Sequence, residues 1–382
     1  MIKIAIIGGG AAGMICALRL ARCGYSVSVF ERGARLGRKL SATGNGQGNI
    51  TNLNMDAAHY FSDDNEKLAR ALSRYGAEEF IAFLEDLGGI FLPDGRGRVY
   101  PAGRQASAIT DILRRELARL KVKVRLNAYV EKLTHNGKFT VYAEGKQMCF
   151  DAVVLAAGGR AAENFGTDGS AYALAKSFGH TVTDLRPALV PLRCDIDSVR
   201  GLKGIRVDGL LRVVRGGSEI YRCRGDILFT DNGVSGDAVF RASSYTQEGD
   251  KLVCDLLPDA SEERLEKTLK GAGEDCLLCV VNNGLGRALY KRAGGDKKRL
   301  VSLIKNFPLE VKGSLGFSRA QVTRGGVPLS ETDEFFMSRK CAGLYFAGEI
   351  LNADGECGGY NLQWAFTSAS CVSEGIHETY AS

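Results

Sequence analysis

Three glycines near the start of the chain have the spacing that a bound pyrophosphate requires. Gly8, Gly10 and Gly13 form a GxGxxG pattern directly after the apolar run IKIAII, and Glu31 ends the next apolar run, VSVFE. The first glycine permits a tight turn, the second lets a pyrophosphate approach the backbone, and the third lets helix and strand pack closely. Glu31 can accept both hydroxyls of a ribose and would repel a 2′-phosphate. The pattern predicts a dinucleotide site that prefers FAD or NAD to NADP; a glycine-rich turn without a ligand is the alternative.

Later segments favour FAD over NAD. FDAVVLAAGG reads as an apolar strand that ends in two glycines. It resembles the strand and glycine turn that flavoproteins place beside the dinucleotide. GLYFAGEILNADG resembles a second flavin fingerprint, with Glu349 where many flavoproteins have aspartate. ECGGYNLQWAF then leads into a final helix, whose first amide groups can face the cofactor and favour negative charge on it. An ordinary glycine-led helix start is the alternative for this last segment.

The stretch SATGNGQGNITN, residues 41–52, follows the basic run RLGRKL. Its glycines allow main chain to lie against a flat ring, and its asparagine and threonine side chains offer hydrogen bonds. Arg38 and Lys39 can meet the charge of a pyrophosphate. We therefore predict that this stretch is a wall of the cofactor site; an exposed linker is the alternative.

The elements that must position these motifs follow from hydrophobic periodicity. We expect strands at 2–7, 27–31, 122–126, 139–143, 150–157 and 343–349, and helices at 64–88, 106–120, 169–180 and 361–377, with RGRVYPAGRQ as a turn-rich segment. The hydrophobic pattern changes at RPALVPL, residues 186–192, where we expect the chain to cross from one domain to another. Short strands are expected at 193–255 and near 309–329, with helices at 259–305. The chain thus begins as α/β, leaves that pattern, and returns to it.

Composition sets limits on the class of protein. The chain has 382 residues, 48 glycines and a net charge of +6, and its basic residues are scattered. We therefore expect two or three domains and no nucleic-acid interface. Because no apolar run could span a membrane and no secretory pattern is visible, we expect a cytoplasmic protein with reduced thiols. Cys276 and Cys279 form a CxxC in apolar surroundings, which favours buried thiols over a redox pair, and no metal site is expected.

The motifs together resemble a known family. GGGAAG, GRKLSATGNGQGNITN, PALVPL, VTRGGVPLSE and GLYFAGEILNADGECGGYNLQWAF occur in this order. They resemble the BaiN/RdsA-type NAD(P)/FAD-dependent oxidoreductases, also called YhiN-like or aminoacetone-oxidase-family flavoproteins, over essentially the whole chain. The resemblance implies an α/β fold in which a two-dinucleotide-binding-type, Rossmann-like FAD domain is interrupted by a β-barrel-like domain and a small helical domain. The implied divisions are 1–188 and 325–382 for the FAD domain, 189–256 with 306–324 for the β-rich insertion, and 257–305 for the helical insertion.

The cofactors implied are FAD and, as a transient electron donor, NAD(P)H. From the motifs and the resemblance, the residues predicted to bind FAD are Gly8, Gly10, Ala11, Ala12, Gly13, Glu31, Arg32, Arg38, Lys39, Thr43, Gly44, Asn45, Gly46, Asn49, Val130, Ala156, Gly158, Gly159, Gly326, Gly348, Glu349, Asp354, Gly359, Tyr360, Asn361 and Leu362. The sequence departs from the family pattern at Gln47 and Gly48, where the family usually has arginine and cysteine. Asp237 stands where the family usually has proline, and DEFFMSRK replaces a segment that usually carries TMES.

Three functions are compatible with these observations. The first is NAD(P)H-driven hydride transfer through flavin N5 to an apolar, steroid-like enone, with Tyr360 or Tyr100 as the acid that protonates the α-carbon, and with a hydrophobic pocket between the FAD domain and the insertion. Packing is the alternative role for both tyrosines. The second is oxidation of small aminoketones or amines by oxygen, and the third is a flavin-bound sensor with little turnover.

The histidines receive no catalytic role, and a thiol relay through Cys357 is disfavoured because no partner cysteine is near in sequence. A small-molecule substrate is expected, and its identity and the oligomeric state stay open.

Overall fold

The computed structural model describes residues 1–269 and 274–381. The chain divides into two compact units, Met1–Arg186 with Val322–Ser382, and Pro187–Gln321. The RPALVPL segment, where a domain crossing was expected, contains the first of these boundaries. Residues 270–273 of the predicted helical insertion, and the last residue of the predicted 325–382 segment, lie outside the described residues. The finer domain bounds given above stay a prediction.

The helices and strands are numbered in chain order. Up to the first boundary they are β1 (Lys3–Ile7), α1 (Ala11–Arg22), β2 (Ser26–Phe30), β3 (Thr51–Asn52), β4 (Tyr60–Ser62), α2 (Asn65–Arg74), α3 (Ala77–Asp86), β5 (Phe91–Pro93), β6 (Arg98–Pro101), α4 (Ala106–Arg119), β7 (Lys123–Arg125), β8 (Val130–Asn136), β9 (Lys138–Ala143), β10 (Lys146–Phe150), β11 (Ala152–Leu155), α5 (Ala171–Ser177) and β12 (Arg186–Ala188). The second unit contains β13 (Leu192–Cys194), α6 (Ile196–Val199), β14 (Arg206–Arg215), β15 (Ser218–Thr230), β16 (Gly233–Ser235), α7 (Asp237–Ser243), β17 (Lys251–Asp255), α8 (Glu262–Thr268), α9 (Asn283–Ala293), α10 (Lys297–Lys305) and β18 (Phe307–Ser314). The chain ends with β19 (Val322–Arg324), β20 (Leu344–Phe346), β21 (Ala353–Gly355) and α11 (Tyr360–Tyr380).

A parallel sheet forms the centre of the first unit. Its strand order is β20-β11-β1-β2-β7. Strand β1 pairs in parallel with both β2 and β11, and β11 pairs in parallel with β20. All four residues of β11 are buried, as the continuous apolar run predicts for a strand covered on both faces. The strand near the C-terminus therefore completes the sheet that the N-terminus begins, which confirms the predicted Rossmann-like domain with an interruption.

Smaller sheets extend the first unit, and a barrel forms the second. The first unit contains the sheets β10-β9-β8, β21-β4 and β3-β6-β5. In the second unit six strands close into a barrel in the order β13-β16-β15-β14-β17-β18. Its core includes Phe229 and Phe307, whose rings meet edge to face at 5.7 Å. The β-barrel-like insertion predicted from the resemblance is confirmed.

Three local predictions were wrong. The single helix expected at 64–88 is two helices, because Tyr75 leaves helical geometry and Gly76 starts α3, with its amide donating to Glu79 Oε2 at 2.8 Å. RGRVYPAGRQ does turn near Gly97 and Gly103, as predicted, but the prediction missed β6 between them, the middle strand of its sheet. The short strands expected at 193–255 include the 10-residue β14 and the 13-residue β15, followed by helix α7. Tertiary pairing overrides local propensity in the last two cases.

Among the described residues, none of the helices is both long enough and apolar enough to cross a membrane.

Candidate cofactor site

The three glycines of the first turn differ in what surrounds them. Gly8 has a φ of 108°, and a Cβ there would lie 2.5 Å from the carbonyl oxygen of Ala156 in the next strand. A Cβ on Gly13 would lie 1.9 Å from the carbonyl oxygen of Gly8, so only glycine lets α1 pack this closely. A Cβ on Gly10 would meet no described atom within 4 Å. Gly10, the N-cap of α1, therefore leaves the helix N-terminus accessible to an anionic group, which fits a pyrophosphate.

Glu31 is held against this turn by two backbone amides. Its Oε2 accepts from the amide of Gly9 at 2.9 Å, and its Oε1 accepts from the amide of Gly33 at 2.6 Å. Both bonds fix the orientation of the carboxylate at the end of β2. Because a carboxylate oxygen has two acceptor positions, each oxygen retains capacity for a ribose hydroxyl.

Residues from the two ends of the chain meet beside the turn. The ammonium of Lys39 lies 2.5 Å from Oε2 of Glu349, and Oε1 of Glu349 accepts from the amide of Thr323 at 2.9 Å. Gly348 has a φ of 77°, and a Cβ there would lie 2.9 Å from Cβ of Ala12 in the first turn of α1. The predicted site residues Ala12, Lys39, Gly348 and Glu349 are thus neighbours in space.

Thr323 was missed by the sequence analysis. Its hydroxyl oxygen accepts from the amides of Arg160 and Ala161 at 2.7 and 2.8 Å. A Cβ on Gly159 would lie 2.5 Å from the same hydroxyl, which explains the second glycine after β11. Thr323 therefore joins the turn after β11 to the segment after β20. The available signal was its place in VTRGG, a motif from which only Gly326 was singled out, and a Cβ on Gly326 would lie 2.5 Å from the carbonyl oxygen of Ile350.

Several predicted cofactor contacts are side chains that the fold itself engages. Arg32 forms an ion pair with Asp168 at 2.5 Å, and Arg38 donates to the carbonyl of Asn164 at 2.8 Å. The hydroxyl of Thr43 donates to the carbonyl of Lys39 one helical turn back at 3.2 Å. Val130 is buried in β8, and Leu362 is half-buried in the first turn of α11.

Asp354 is buried and paired with Arg324. The guanidinium donates through Nη2 to Oδ2 at 2.9 Å and through Nε to Oδ1 at 3.1 Å, and it lies 3.6 Å above the ring of Phe61. Burial raises the pKa of Asp354, and the adjacent guanidinium opposes that rise. The Arg324 pair orients the loop before α11, a role that the sequence pattern did not indicate.

The glycine- and asparagine-rich stretch is folded as a series of tight turns. Gly44, Asn45, Gly46 and Gly48 all have positive φ, between 58° and 83°. A Cβ on Gly48 would lie 2.9 Å from Cα of Ala106, at the start of α4, so glycine at this position permits close packing. Residues 44–47 are exposed while 48–50 are buried, so the stretch is anchored at its C-terminal end, and its role as a wall of the cofactor site stays a prediction.

Asn49, in contrast, is turned into the protein. Its side-chain amide donates to the carbonyls of Thr51 and Val99 at 2.9 and 3.0 Å. These bonds satisfy both donors of the amide, so the side chain braces the turn. Its contact with the cofactor stays a prediction.

The start of α11 is fixed by its glycines and by Asn361. Gly359 has a φ of 102°, and a Cβ there would lie 2.4 Å from the carbonyl oxygen of Thr51. The Asn361 side chain accepts from the amide of Gly355 at 2.9 Å and donates to the carbonyl of Gly355 at 2.7 Å. The helix N-terminus is therefore held rigidly beside the loop that leads to it.

Both tyrosines considered as acids are buried. The hydroxyl of Tyr360 donates to the carbonyl of Asn54 at 3.4 Å, and its ring stacks on His59 at 4.6 Å. The ring of Tyr100 lies 3.9 Å beneath the guanidinium carbon of Arg104. Burial raises the pKa of Tyr100, which keeps the phenol protonated at neutral pH.

His180 has an environment that sequence reasoning did not anticipate. Its Nδ1 lies 2.7 Å from Oε2 of Glu331, and its Nε2 lies 2.6 Å from Oγ of Ser338. The arrangement has the order of a serine–histidine–carboxylate triad. Ser338 is buried, however, and its Oγ accepts from the amides of Lys340 and Cys341 at 3.0 and 2.9 Å. The trio therefore stabilises the fold and offers no accessible nucleophile.

The described cysteines and histidines form no metal centre. Within residues 1–269 and 274–381, no group of three histidine, cysteine, aspartate or glutamate side chains could hold a metal ion. Cys276 and Cys279 are both free thiols; Cys276 is buried as expected, but Cys279 is exposed, so the expectation of two buried thiols was wrong for Cys279. Burial raises the pKa of Cys276, which makes it a less reactive thiol.

The chain can be compared with known proteins on this basis. The family model described as the HI0933-like protein Rossmann domain matches residues 2–375. The chain belongs to this family. A 3-dehydro-bile acid delta(4,6)-reductase of Clostridium scindens is 34% identical over 398 aligned positions, covering 96% of this chain and 97% of that protein. A ribosomal RNA dihydrouridine synthase of Haemophilus influenzae is 31% identical and covers 95% of this chain and 96% of that protein.

A solved structure shows the same fold at low identity. The 3-ketosteroid delta1-dehydrogenase of Sterolibacterium denitrificans matches with a TM-score of 0.57 and 15% identity, over 99% of this chain and 100% of that chain. The fold, the family and the glycine-lined turn all indicate the same class of protein. The chain is a flavin-dependent oxidoreductase with a Rossmann-type FAD domain.

Proposed function

We propose that the chain reduces a carbon–carbon double bond conjugated to a carbonyl group in a small apolar enone, with NAD(P)H as the electron donor. The observation that carries the proposal is the chemistry shared by two relatives that match nearly the whole chain. A delta(4,6)-reductase of a 3-dehydro bile acid and an enzyme that forms dihydrouridine both saturate a double bond conjugated to a carbonyl. Hydride addition to the β-carbon, followed by protonation of the α-carbon, describes both reactions.

The residues of the site have the chemistry to hold FAD. Gly8, Gly10 and the N-terminus of α1 would accept the pyrophosphate, and Glu31 would accept the ribose hydroxyls. Lys39 would add a positive charge beside the pyrophosphate, while Glu349 orients that ammonium. When bound, FAD supplies hydride transfer through its N5 atom.

Protonation of the α-carbon requires an acid from the protein. Tyr360 and Tyr100 stay the proposed donors. The hydroxyl of Tyr360 donates a hydrogen bond to the carbonyl of Asn54. The pKa of Tyr100 is raised, so its phenol is protonated at neutral pH. Replacing each tyrosine by phenylalanine would remove the proton and retain the ring, so the pH dependence of substrate reduction would identify which of the two acts.

Anaerobic reduction of the purified flavoprotein tests the proposal. We expect NADH or NADPH to bleach the flavin absorption band rapidly, and a 3-oxo-4-ene steroid to restore it. An oxidase would instead be bleached by aminoacetone and form peroxide when oxygen is admitted. A protein that no small donor bleaches quickly would be a sensor. Either of the last two results would contradict the enone reductase.

Ribosomal RNA is a second candidate substrate, favoured by the 31% identical dihydrouridine synthase. The scattered basic residues led us to expect no nucleic-acid interface, and that expectation stays a prediction. Incubation of unmodified ribosomal RNA transcript with the protein, FAD and NADPH, followed by mass spectrometry for dihydrouridine, decides between the two substrates.

A further inference from the structure

We propose that residues 162–168 form a strap that closes over the ADP half of bound FAD, and that Arg32 and Arg38 are the clasps that hold this strap shut. These residues are called the 162–168 strap below. FAD enters and leaves the protein when the clasps open. The inference concerns the retention of the cofactor, so it does not depend on which substrate the flavin reduces.

The order of the strands brings the strap across the dinucleotide turn. The strap follows β11, both arginines follow β2, and β1 lies between these two strands in the parallel sheet. Because parallel strands end at the same edge of a sheet, the loops after β11, β1 and β2 are neighbours at that edge. The loop after β1 is the Gly8–Gly13 turn, where the pyrophosphate is proposed to bind. A connection from the loop after β11 to the loop after β2 therefore spans this turn.

Two side chains make the connection. Nη1 of Arg32 lies 2.5 Å from Oδ2 of Asp168, and Nη2 of Arg38 donates to the carbonyl of Asn164 at 2.8 Å. A Cβ on Gly166 would lie 3.4 Å from Nη1 of Arg38, so the backbone of the strap passes close to this guanidinium. Both arginines thus bond to the strap, which gives them a role other than direct contact with FAD.

The strap lies between the turn after β11 and the proposed ribose site. At one end, a Cβ on Gly158 would lie 3.1 Å from Cγ2 of Thr167. At the other end, a Cβ on Gly33 would lie 3.0 Å from Oε1 of Glu31 and 3.5 Å from Cδ of Arg38. The carboxylate that is proposed to bind the ribose and one of the two clasps are therefore next to the same glycine.

The base of the strap is fixed, whereas its tip has little apolar packing. The amide of Gly169 donates to the carbonyl of Gly159 at 3.0 Å, and the hydroxyl of Thr167 donates to the carbonyl of Ala162 at 3.1 Å. The large apolar side chain of the strap, Phe165, is 37% exposed. Segments with few buried apolar contacts open at a low cost in free energy. The two arginine contacts are therefore the main restraint on the tip.

The ion pair between Arg32 and Asp168 is suited to open and close. The two side chains are 40% and 45% exposed, so water and salt compete with the pair. Burial would raise the pKa of Asp168, but hydrogen bonds from Arg32 and Ser170 lower it, so the carboxylate is charged at neutral pH. The pair can open and re-form without a change in protonation, and added salt should accelerate FAD release.

The rates of FAD binding and release test the strap. Association is measured by rapid mixing of FAD with apoprotein, and release by mixing the loaded protein with an excess of another FAD-binding apoprotein. We expect Asp168→Asn to raise both rate constants about threefold and to leave the dissociation constant nearly unchanged, because the ion pair closes the strap with and without FAD. Asp86→Asn is the matched control: it breaks the exposed Arg22–Asp86 pair, joined at 2.7 Å at the far end of α1, and should change neither rate.

An exchange of the two charges separates a clasp from a cofactor contact. Arg32→Asp should accelerate both binding and release at least about threefold, because it places a second carboxylate beside Asp168. The double variant Arg32→Asp with Asp168→Arg restores an ion pair of reversed polarity and should return both rates toward those of wild type. An arginine that contacted FAD directly would not be replaced in this way.

Amide exchange with deuterium gives a second readout. The amides of Phe165 and Gly166 donate to the carbonyls of Ala162 and Glu163 at 2.9 and 2.8 Å. FAD beneath the strap should slow the exchange of these amides relative to the apoprotein, and Asp168→Asn should accelerate it in the loaded protein.

Three results would overturn the proposal. Faster release with unchanged association in Asp168→Asn would mean that the ion pair acts on bound FAD and not on a gate. Failure of the double variant to recover the wild-type rates would remove Arg32 as a clasp. Equal amide exchange of the strap with and without FAD would show that the strap does not cover it. All of these measurements use oxidised protein without substrate, so their failure leaves the enone reductase standing, and a protein that reduces no enone leaves the strap standing.

Discussion

Lys39 and Glu349 are 310 positions apart in the chain, and their ammonium and carboxylate groups lie 2.5 Å apart beside the first turn of α1. Lys39 follows the second strand of the central sheet, and Glu349 follows the strand that the C-terminus adds to it. Both side chains are mostly buried, at 28% and 19% exposure. The carboxylate of Glu349 thus holds the ammonium of Lys39 at the place where the pyrophosphate of FAD is proposed to bind.

Loss of this charge should weaken FAD binding. We expect Lys39→Met to raise the dissociation constant of FAD about tenfold, because it removes a charge-assisted contact and leaves Glu349 without its partner. Reconstitution of apoprotein with FAD, followed by flavin fluorescence, measures the constant. Lys138→Met is the control, since it breaks the exposed Lys138–Asp151 pair, which joins at 2.8 Å. Equal affinity in both variants would contradict the role of Lys39.

The glycines of the first turn should separate folding from cofactor binding. Gly13→Ala would place a Cβ 1.9 Å from the carbonyl of Gly8, so we expect the free energy of unfolding to fall by about 1–3 kcal/mol or more. Gly10→Ala meets no described atom within 4 Å and should leave the apoprotein nearly as stable as wild type. It should nevertheless weaken FAD binding. Chemical denaturation of the apoproteins and FAD titration give the two quantities, and a Gly10→Ala variant with normal FAD affinity would refute the assigned role of Gly10.

Glu31 should matter for retention of FAD. We expect Glu31→Ala to lose FAD during gel filtration that wild type survives, with an affinity about tenfold lower, because the ribose hydroxyls lose their acceptor. Glu31→Gln keeps one acceptor and should lie between the two. Unchanged affinity of Glu31→Ala would mean that the ribose assignment is wrong.

The His180–Glu331 pair should make the fold sensitive to acid. Burial alone would raise the pKa of Glu331, but hydrogen bonds from Thr181 and the nearby Lys340 and His180 hold that pKa at about 2. Burial lowers the pKa of His180 despite the adjacent carboxylate. A carboxylate with a lowered pKa stabilises the folded state above its ordinary pKa, and this contribution is lost as the pH falls toward 2. A histidine with a lowered pKa acts in the same direction, since protonation below its ordinary pKa favours the unfolded state.

Thermal unfolding between about pH 5 and about pH 2 checks this expectation, because this is the range in which Glu331 loses its contribution. The unfolding temperature of wild type should fall more steeply with acidification than that of Glu331→Gln, which has no such carboxylate to protonate. Glu66→Gln, at a side chain that is 92% exposed, should behave like wild type. Parallel curves for wild type and Glu331→Gln would contradict the linkage.

Much of the fold could be predicted because its signals are local. The GxGxxG turn and the apolar run of β11 are each encoded within about a dozen residues, and the final helix α11 within 21, and each lies where the pattern placed it. The predictions that were wrong depend on partners far away. Strand β6 forms between β3 and β5 although the glycines on either side of it indicate turns, and α2 and α3 separate at Gly76, where the pattern showed one helix.

The candidate site also contains residues with local sequence signals and residues whose roles depend on distant partners. Gly8, Gly10, Gly13 and Glu31 were predicted from spacing alone, because the roles proposed for them follow from backbone geometry within one strand–turn–helix unit. Thr323 was missed, because its hydroxyl matters only through amides more than 160 positions earlier in the chain. Asn49 was assigned to the cofactor by type, yet its amide donates to two carbonyls of the fold.

The sequence by itself indicated the class of cofactor, because glycine spacing and apolar periodicity act over short distances along the chain, and its long motifs resembled the family to which the chain belongs. Only the tertiary structure decided which charged and polar side chains are already engaged, such as Lys39 with Glu349 and Asp354 with Arg324. It also decided that Arg32 and Arg38 contact the segment after β11. Hydrogen bonds and ion pairs depend on distances of a few ångströms between residues that are remote in sequence, and folding alone sets those distances.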